Sequence, residues 1–280
     1  MALSGAAHWN QTEEDWRTML ALGQGWGLRV PVRDPATGAD TLAASTLILP
    51  YGAGTAAAAF AWISMVLVLP AWRGRGFAQR LLRCAVAELD ARGVLAVLDA
   101  TPAGHPVYVR EGFVDCWGFA RWRGKLGAVS ELPHNAVLGV RRLSETDWPA
   151  VDELDSAAFG ASRLPLLRAL ARRTPKLAWV AWLAEGPQRP LGYLLGRDGR
   201  TALQLGPLVA ADPEVAIALL AAGLGPASQQ ARRNACDIVV DVRDGQPLVT
   251  RWLEAHGFAI ERPFTRMVRA AYGSAPGESA

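Results

Sequence analysis

The chain has 280 residues, 51% of them hydrophobic, and a formal net charge of +3. That length holds one large or two ordinary domains, and the apolar share is enough for real cores. The charge is too weak to argue for nucleic acid or a membrane surface as partner. Three cysteines (Cys84, Cys116, Cys236) and four histidines (His8, His105, His134, His256) are scattered along the chain. No disulfide ladder or metal site is legible in them, and a reducing cytoplasm is the simplest setting.

The segment from Met1 to Trp16 is polar and carries no secretory core. Thr12-Glu13-Glu14-Asp15 predicts a helix start leading into Trp16 to Leu22, ended by Gly23 to Gly27. Strands follow over 28–33 and 41–49, around a turn at 34–38. From Thr41 to Trp72 there is no charged residue, but Pro50, Gly52 and Gly54 split the stretch. Its second piece, 56–69, is short of the roughly 20 residues a spanning helix needs. Two buried strands joined by a hairpin fit better than a membrane span.

The strand runs into Pro70, and a basic turn, Arg73-Gly74-Arg75-Gly76, leads directly into a helix. Phe77, Leu81, Ala85 and Leu89 recur at i+4, as do Ala78, Leu82 and Val86, giving one apolar stripe on which Cys84 is placed as a packing residue. Gly93 stops the helix, and 94–98 reads as a buried strand, so strand, helix and strand form a parallel crossover. A loop from Asp99 to Gly104, a short helix over 106–110 ended by Gly112-Phe113, and a last strand over 119–123 complete the first half.

A weak repeat follows. Residues 236–241, 248–256, Gly257-Phe258 and 263–269 retrace the order of 95–122: a strand ending in Asp, a short helix, Gly-Phe, a terminal strand. The Asp-to-Gly interval runs from 99 to 112 in the first copy and from 241 to 257 in the second, a small insertion. Leu208-Val209 leads through Asp212 and Pro213 into the apolar run 215–220, a second strand-into-helix junction. The chain thus reads as two related α/β halves, 1–130 and 136–280, linked near 124–135.

The junction at Arg73 to Ala78 has the makings of an anion site. Helix N-terminal amides are free and carry about +0.5 charge, glycines let backbone approach the anion, and arginines supply a fork for phosphate oxygens. GxxxxGK[ST] is absent, and a third glycine three residues after Gly76 is replaced by Gln79, so neither a Walker loop nor a dinucleotide fingerprint fits. In the second half Asp212 and Pro213 read as N-cap and N1, and a carboxylate there repels phosphate.

Arg73-Gly74-Arg75-Gly76-Phe77-Ala78 fills the acyl-CoA loop [RQ]xxGx[GA] of the GNAT N-acetyltransferases, and Tyr108 to Phe113 resembles the family's Y-x-x-x-G-F. Residues 155–163 and 262–267 resemble the degenerate second domain of two-domain members. The resemblance implies an α/β fold of two tandem GNAT-like domains, each a central mixed sheet flanked by helices, with the active site in the first. It implies acetyl-CoA as co-substrate: pantetheine on the backbone of Val66, Leu67 and Val68, pyrophosphate on the amides from Arg73 to Ala78, and a pantetheine contact at Thr101, where the family usually has Asn.

An amine, small or peptidic, would attack the thioester directly, with a backbone N–H near Leu67 polarising the carbonyl and Tyr108 protonating the thiolate. An unshifted phenol, pKa about 10, suffices for that step. No carboxylate lies on the strand before Pro70, so Asp99 is the candidate base, beside a water chain or an amine that arrives neutral. Trp62 and Trp117 are candidates to reach the cleft, and Arg163 and Arg266 are expected in ordinary salt bridges. No metal, nucleic acid or membrane is implied. The second half is expected to bind no acetyl-CoA, so that the protein is a monomeric pseudo-dimer or a homodimer. A non-catalytic acyl-CoA-binding or sensor protein is the alternative.

Overall fold

Thr12 caps its helix as the sequence predicts: in the computed structural model Thr12 Oγ1 accepts from the Asp15 N–H at 3.3 Å, and Asp15 returns a bond to the Thr12 N–H at 2.8 Å. The structure describes residues 1–33, 38, 40–52, 60–124, 138–183, 189–234 and 236–270. The expected turn at 34–38 and linker at 124–135 lie largely outside the described residues. Two compact units are present, Met1–Trp117 with Phe264–Ala280, and Gly118–Pro263.

The first unit opens with α1 (Ala2–Ala6) and α2 (Glu13–Leu22), then β1 (Gln24–Arg33), β2 (Asp40–Tyr51) and β3 (Phe60–Val68). α3 (Phe77–Ala91), β4 (Leu95–Ala100) and α4 (His105–Arg110) follow. The uncharged stretch thus contains two antiparallel strands, β2 and β3, and none of the protein's described helices is long and apolar enough to cross a membrane. β1 starts earlier than its glycines suggest. A Cβ at Gly25 would meet Leu47 Cδ2 at 2.4 Å and one at Gly27 would meet Leu42 Cδ1 at 2.5 Å, so these glycines make room for strand β2 rather than breaking β1.

α3 turns Leu82, Ala85, Val86 and Leu89 inward, against Ile63, Leu98 and Met267, and Leu81 is buried as well. Cys84 is exposed, contrary to the packing role expected of it. At 100° per residue it falls one position off the stripe, which Ala85 fills.

The second unit takes β5 (Val114–Gly124), β6 (Leu138–Arg142), α5 (Trp148–Phe159), α6 (Leu164–Arg173), β7 (Trp179–Leu183) and β8 (Pro190–Arg197). β9 (Ala202–Ala210), α7 (Pro213–Asn234), β10 (Asp237–Arg243), α8 (Pro247–Ala255) and β11 (Phe258–Arg269) complete the chain. Its core gathers α7 residues Val215, Leu219 and Leu220 with Ile238, Val240 and Trp122. Arg163 donates to both carboxylate oxygens of Asp155 at 2.9 Å, as expected of a salt bridge. The buried Tyr193 hydroxyl joins that pair, and burial pushes its pKa well up.

The terminal strands are exchanged between the halves. The first unit has the order β1-β2-β3-β4-β11, and the second β5-β10-β9-β8-β7-β6. Residues 265–269 of β11 run antiparallel to β4, from Thr265 opposite Ala100 to Arg269 opposite Ala96. Residues 119–124 of β5 run antiparallel to β10, from Ile238 opposite Gly124 to Arg243 opposite Phe119. The sequence reading gave each half its own last strand.

Both strands carry the same device, Phe119-Ala-Arg121 and Phe264-Thr-Arg266. Arg266 lies opposite Asp99 and binds both its oxygens, at 2.9 and 3.2 Å. Arg121 lies opposite Asp241 and does the same, at 2.7 and 2.8 Å. The two strands are interchangeable at the level of this pattern, which is why local sequence cannot assign them.

Candidate functional site

β3 carries a β-bulge. Ser45 pairs with Leu67 and Leu47 with Ser64, so Met65 and Val66 together oppose Thr46. Met65 has φ +54°, a conformation that costs a non-glycine residue about 1–2 kcal/mol. Buried contacts hold it there: Met65 packs with Leu3, Leu47 and Leu67, and the Ser45 hydroxyl donates to its carbonyl at 2.9 Å. The bulge reverses the facing of the strand, because Ile63 and Val66 lie against the α3 core while Met65 and Leu67 lie on the other face.

β3 leaves β4 just before the bulge. The parallel ladder consists of Phe60, Ala61 and Trp62 against Leu95, Ala96 and Val97, and the later residues of both strands have no mutual pairing. Leu69 donates its N–H to Ala43 of β2, so by strand alternation the Val68 and Val66 amides point the other way, into the opening beside β4. Backbone groups of Val66 and Val68 therefore stand where an extended ligand could pair as an added strand. Leu67, named with them in the sequence reading, turns its buried side chain to the opposite core.

A short 3-10 turn, Pro70–Trp72, carries the chain from β3 to the basic loop. Gly74 and Gly76 have φ +74° and +72°, and a Cβ at either would meet no described protein atom within 4 Å. Gly76 is the N-cap of α3 and brings no side-chain cap, and the first turn holds no acidic residue. The amides of Phe77 and Ala78 thus begin the helix unsatisfied by any side chain, over open space. Arg73 is exposed with Nε 3.4 Å from the Val68 carbonyl, and Arg75 stands 4.5 Å over the Trp72 ring, which stacks on Phe77. The donor set suits a diphosphate: amides without a side-chain cap, a helix dipole and two guanidinium groups, with no acidic residue in the first turn of the helix itself.

Tyr108 sits on α4, its ring edge-on to Phe113 at 6.0 Å and close to Gly104, where a Cβ would lie 2.9 Å from the ring. Burial pushes its pKa up to about 12, where the sequence reading needed no shift. The phenol therefore keeps its proton throughout the neutral range. Thr101 serves the same helix: its Oγ1 accepts from the Gly104 N–H at 3.2 Å and its carbonyl from the Gly104 and His105 amides.

Asp99 ends β4 on the face away from α3, in the bidentate pair with Arg266. The Arg266 guanidinium is held between Trp62 and Trp117, 4.3 and 4.0 Å from their centroids. Both oxygens of Asp99 are engaged, so taking up a proton there would break the pair that registers β11. In this geometry Asp99, the candidate base, anchors β11 through Arg266.

The second unit repeats the frame with different residues at the helix start. The β8–β9 register shifts between Leu194 and Gly196, and the parallel β9–β10 ladder spans only Ala202 to Leu205 against Asp237 to Val240. At the start of α7, however, Asp212 Oδ1 accepts from the Val215 N–H at 2.8 Å, and Glu214 adds a second carboxylate. Five residues before Phe258, as Tyr108 is five before Phe113, stands Leu253, 1% exposed. Among the described residues no group of three or more His, Cys, Asp or Glu could hold a metal ion.

Comparison with known proteins agrees with this frame. A family model described as the acetyltransferase (GNAT) family matches residues 32–113, and one described as an acetyltransferase (GNAT) domain matches residues 151–277. A tandem GNAT protein from the clavulanic acid biosynthesis pathway is similar in fold, with a TM-score of 0.67 at 16% identity over 98% of this chain and 94% of that one. GCN5-related N-acetyltransferases from Sphaerobacter thermophilus (0.59, 17%, 84% and 78%) and Anabaena variabilis (0.59, 16%, 96% and 69%) are similar too. No curated protein matches the chain in sequence. Two family matches in tandem, a bulged and splayed strand pair in each unit and an uncapped helix beside the first pair place this chain in the GNAT acetyltransferase family as a two-domain member.

Proposed function

We propose that the first unit is an acetyl-CoA-dependent N-acetyltransferase that moves an acetyl group to an amine by direct attack in a ternary complex. The observation that carries this reading is the uncapped start of α3, with Gly74 and Gly76 in the left-handed region, beside the gap between β3 and β4. Bound acetyl-CoA would supply the thioester carbonyl. The amides from Arg73 to Ala78 bind its diphosphate, and Arg73 and Arg75 add counter-charge.

Val66 and Val68 hold the pantetheine arm through their backbone, and Thr101 stands at the mouth with its hydroxyl proton free to donate. An N–H of β3 directed into the gap polarises the carbonyl. The Tyr108 hydroxyl, which burial keeps protonated through the neutral range, gives its proton to the departing sulfur. No side-chain base is assigned: the amine arrives neutral or gives its proton to water.

The second unit, with Asp212 and Glu214 at the start of α7 and Leu253 in place of the tyrosine, is assigned no acetyl-CoA. The test is release of CoA across a panel of small amines and peptides, beside a melting assay with acetyl-CoA. Turnover supports the enzyme. Acetyl-CoA binding at micromolar levels with no turnover on any amine supports the alternative, a sensor, for which the absence of a carboxylate from β3 speaks.

A further inference from the structure

α4 is six residues long, too short to hold its own position, so whatever fixes it also fixes Tyr108. Glu111, the residue after α4, is fastened from two sides. On one side its carboxylate accepts from α3: from Gln79 Nε2 at 2.6 Å and from Arg83 Nε at 3.1 and 3.0 Å. On the other side its carbonyl accepts from Arg269 Nε at 3.1 Å. The same Arg269 guanidinium grips Asp90, near the far end of α3, through both oxygens at 2.6 and 3.1 Å.

Arg269 lies beside Gly112, whose φ of +85° favours glycine; a Cβ there would lie 3.4 Å from Arg269 Nε. The Glu111 side chain is only 11% exposed, and the hydrogen bond from Arg83 holds its carboxyl below the usual range. α3 begins at the uncapped amides and α4 carries the phenol, and Glu111 joins the two: its side chain touches α3 while its backbone ends α4.

We infer that Glu111 is a positioning residue, which with Arg269 from the exchanged strand sets the distance between the cofactor-binding start of α3 and the Tyr108 hydroxyl. The inference rests on the proposed function of Tyr108 as the proton donor. A displacement of about 1 Å can cost on the order of a hundredfold in rate, so a clamp of this kind acts on kcat and not on cofactor affinity.

The test is a double-mutant cycle in the full chain, with CoA release measured on whichever amine the wild type accepts. Glu111→Ala is expected to lower kcat at least tenfold while the KM for acetyl-CoA changes less than threefold. Arg83→Ala, at an arginine 64% exposed and safe for folding, loses one arm and lowers kcat less. Glu111→Gln keeps the bond from Gln79 and recovers part of the loss.

Combined with Tyr108→Phe, Glu111→Ala is expected to add almost nothing, because both remove the same proton transfer. Losses that multiply, or a Glu111→Ala protein with lowered melting temperature and unchanged kcat, overturn the clamp and leave the acetyltransferase reading standing. A wild type that turns over and is indifferent to Tyr108→Phe overturns the donor assignment and the clamp with it. Acetyl-CoA binding without turnover on any amine overturns the enzyme reading first.

Discussion

The start of α3 and the start of α7 are the same junction solved in two ways. Each follows a bulged strand that parts from its parallel neighbour after a ladder of three or four pairs. α3 starts on a left-handed glycine with no cap and no acidic residue, whereas α7 starts on an aspartate whose side chain satisfies an amide, followed by a glutamate. A capped helix is stable by itself; an uncapped one gives up roughly 1 kcal/mol and keeps its amides for something else. The difference teaches that the fold alone does not make the site. The splay is common to both units, and on the proposed function the ligand chemistry is set by a few residues at one helix start.

The comparison breaks most sharply at Gly76. Replacing it by Val puts a β-branched residue at φ +72° and a side chain over the free amides. All stabilisation by acetyl-CoA in a melting assay should vanish, and a shift equal to wild type would sink the loop assignment. Tyr108→Phe should leave that shift intact and lower kcat by about a hundredfold to ten-thousandfold, the usual share of a proton donor, whereas Leu253→Tyr should create no second activity.

Met267, fully buried in the first core yet encoded at the far end of the chain, tests the exchange. Met267→Ala should destabilise the first unit by about 2–5 kcal/mol in denaturant unfolding. An effect below about 1 kcal/mol, the level of a surface change, would mean that β11 does not belong to that core. Asp212→Ala removes only a cap and should cost the second unit about 1 kcal/mol, with no acetyl-CoA binding gained there.

Two titrations separate the units at opposite ends of the pH scale. In the second unit Arg141 and the Ser144 backbone hold Asp147 down at about 2. The unfolded chain therefore takes up this proton first, and the stabilisation present above pH 4 is lost as pH falls toward 2. Asp147→Asn should flatten that part of the acid-unfolding curve. In the first unit Tyr108 is raised to about 12, so the native state keeps its proton while the unfolded chain loses it. Its contribution is complete below pH 10 and lost as pH rises to 12, and no alkaline limb of kcat below pH 10 should trace to this phenol.

Much of this was legible in the residues. The stripe from Phe77 to Leu89, the stop at Gly93, the cap at Thr12 and the cap at Asp212 rest on local rules, and each stands in the structure as read. The salt bridges of Arg163 and Arg266 were expected, without their partners. The bulge at Met65 left no sequence signal, because nothing in Ser64-Met65-Val66 favours a positive φ; long-range contacts from α1 and Ser45 impose it. Gly25 and Gly27 misled, since glycine marks a close approach as readily as a break. Glu111 and Arg269 could not be paired from sequence at all, because the strand that joins them comes from the other end of the chain.

That exchange also orders events during synthesis. When residue 117 leaves the ribosome, β4 has its neighbour on one side and a bare edge on the other, and its partner strand lies some 150 residues ahead. At the usual pace of translation the wait is on the order of ten seconds. For that time Leu98, Ala100 and Phe113 have no Met267 to close over them, and the unpaired edge of β4 is a template for any passing strand. The cross-strand lock of the first unit, Arg266 on Asp99, can therefore form only after the residues of the second unit have been made.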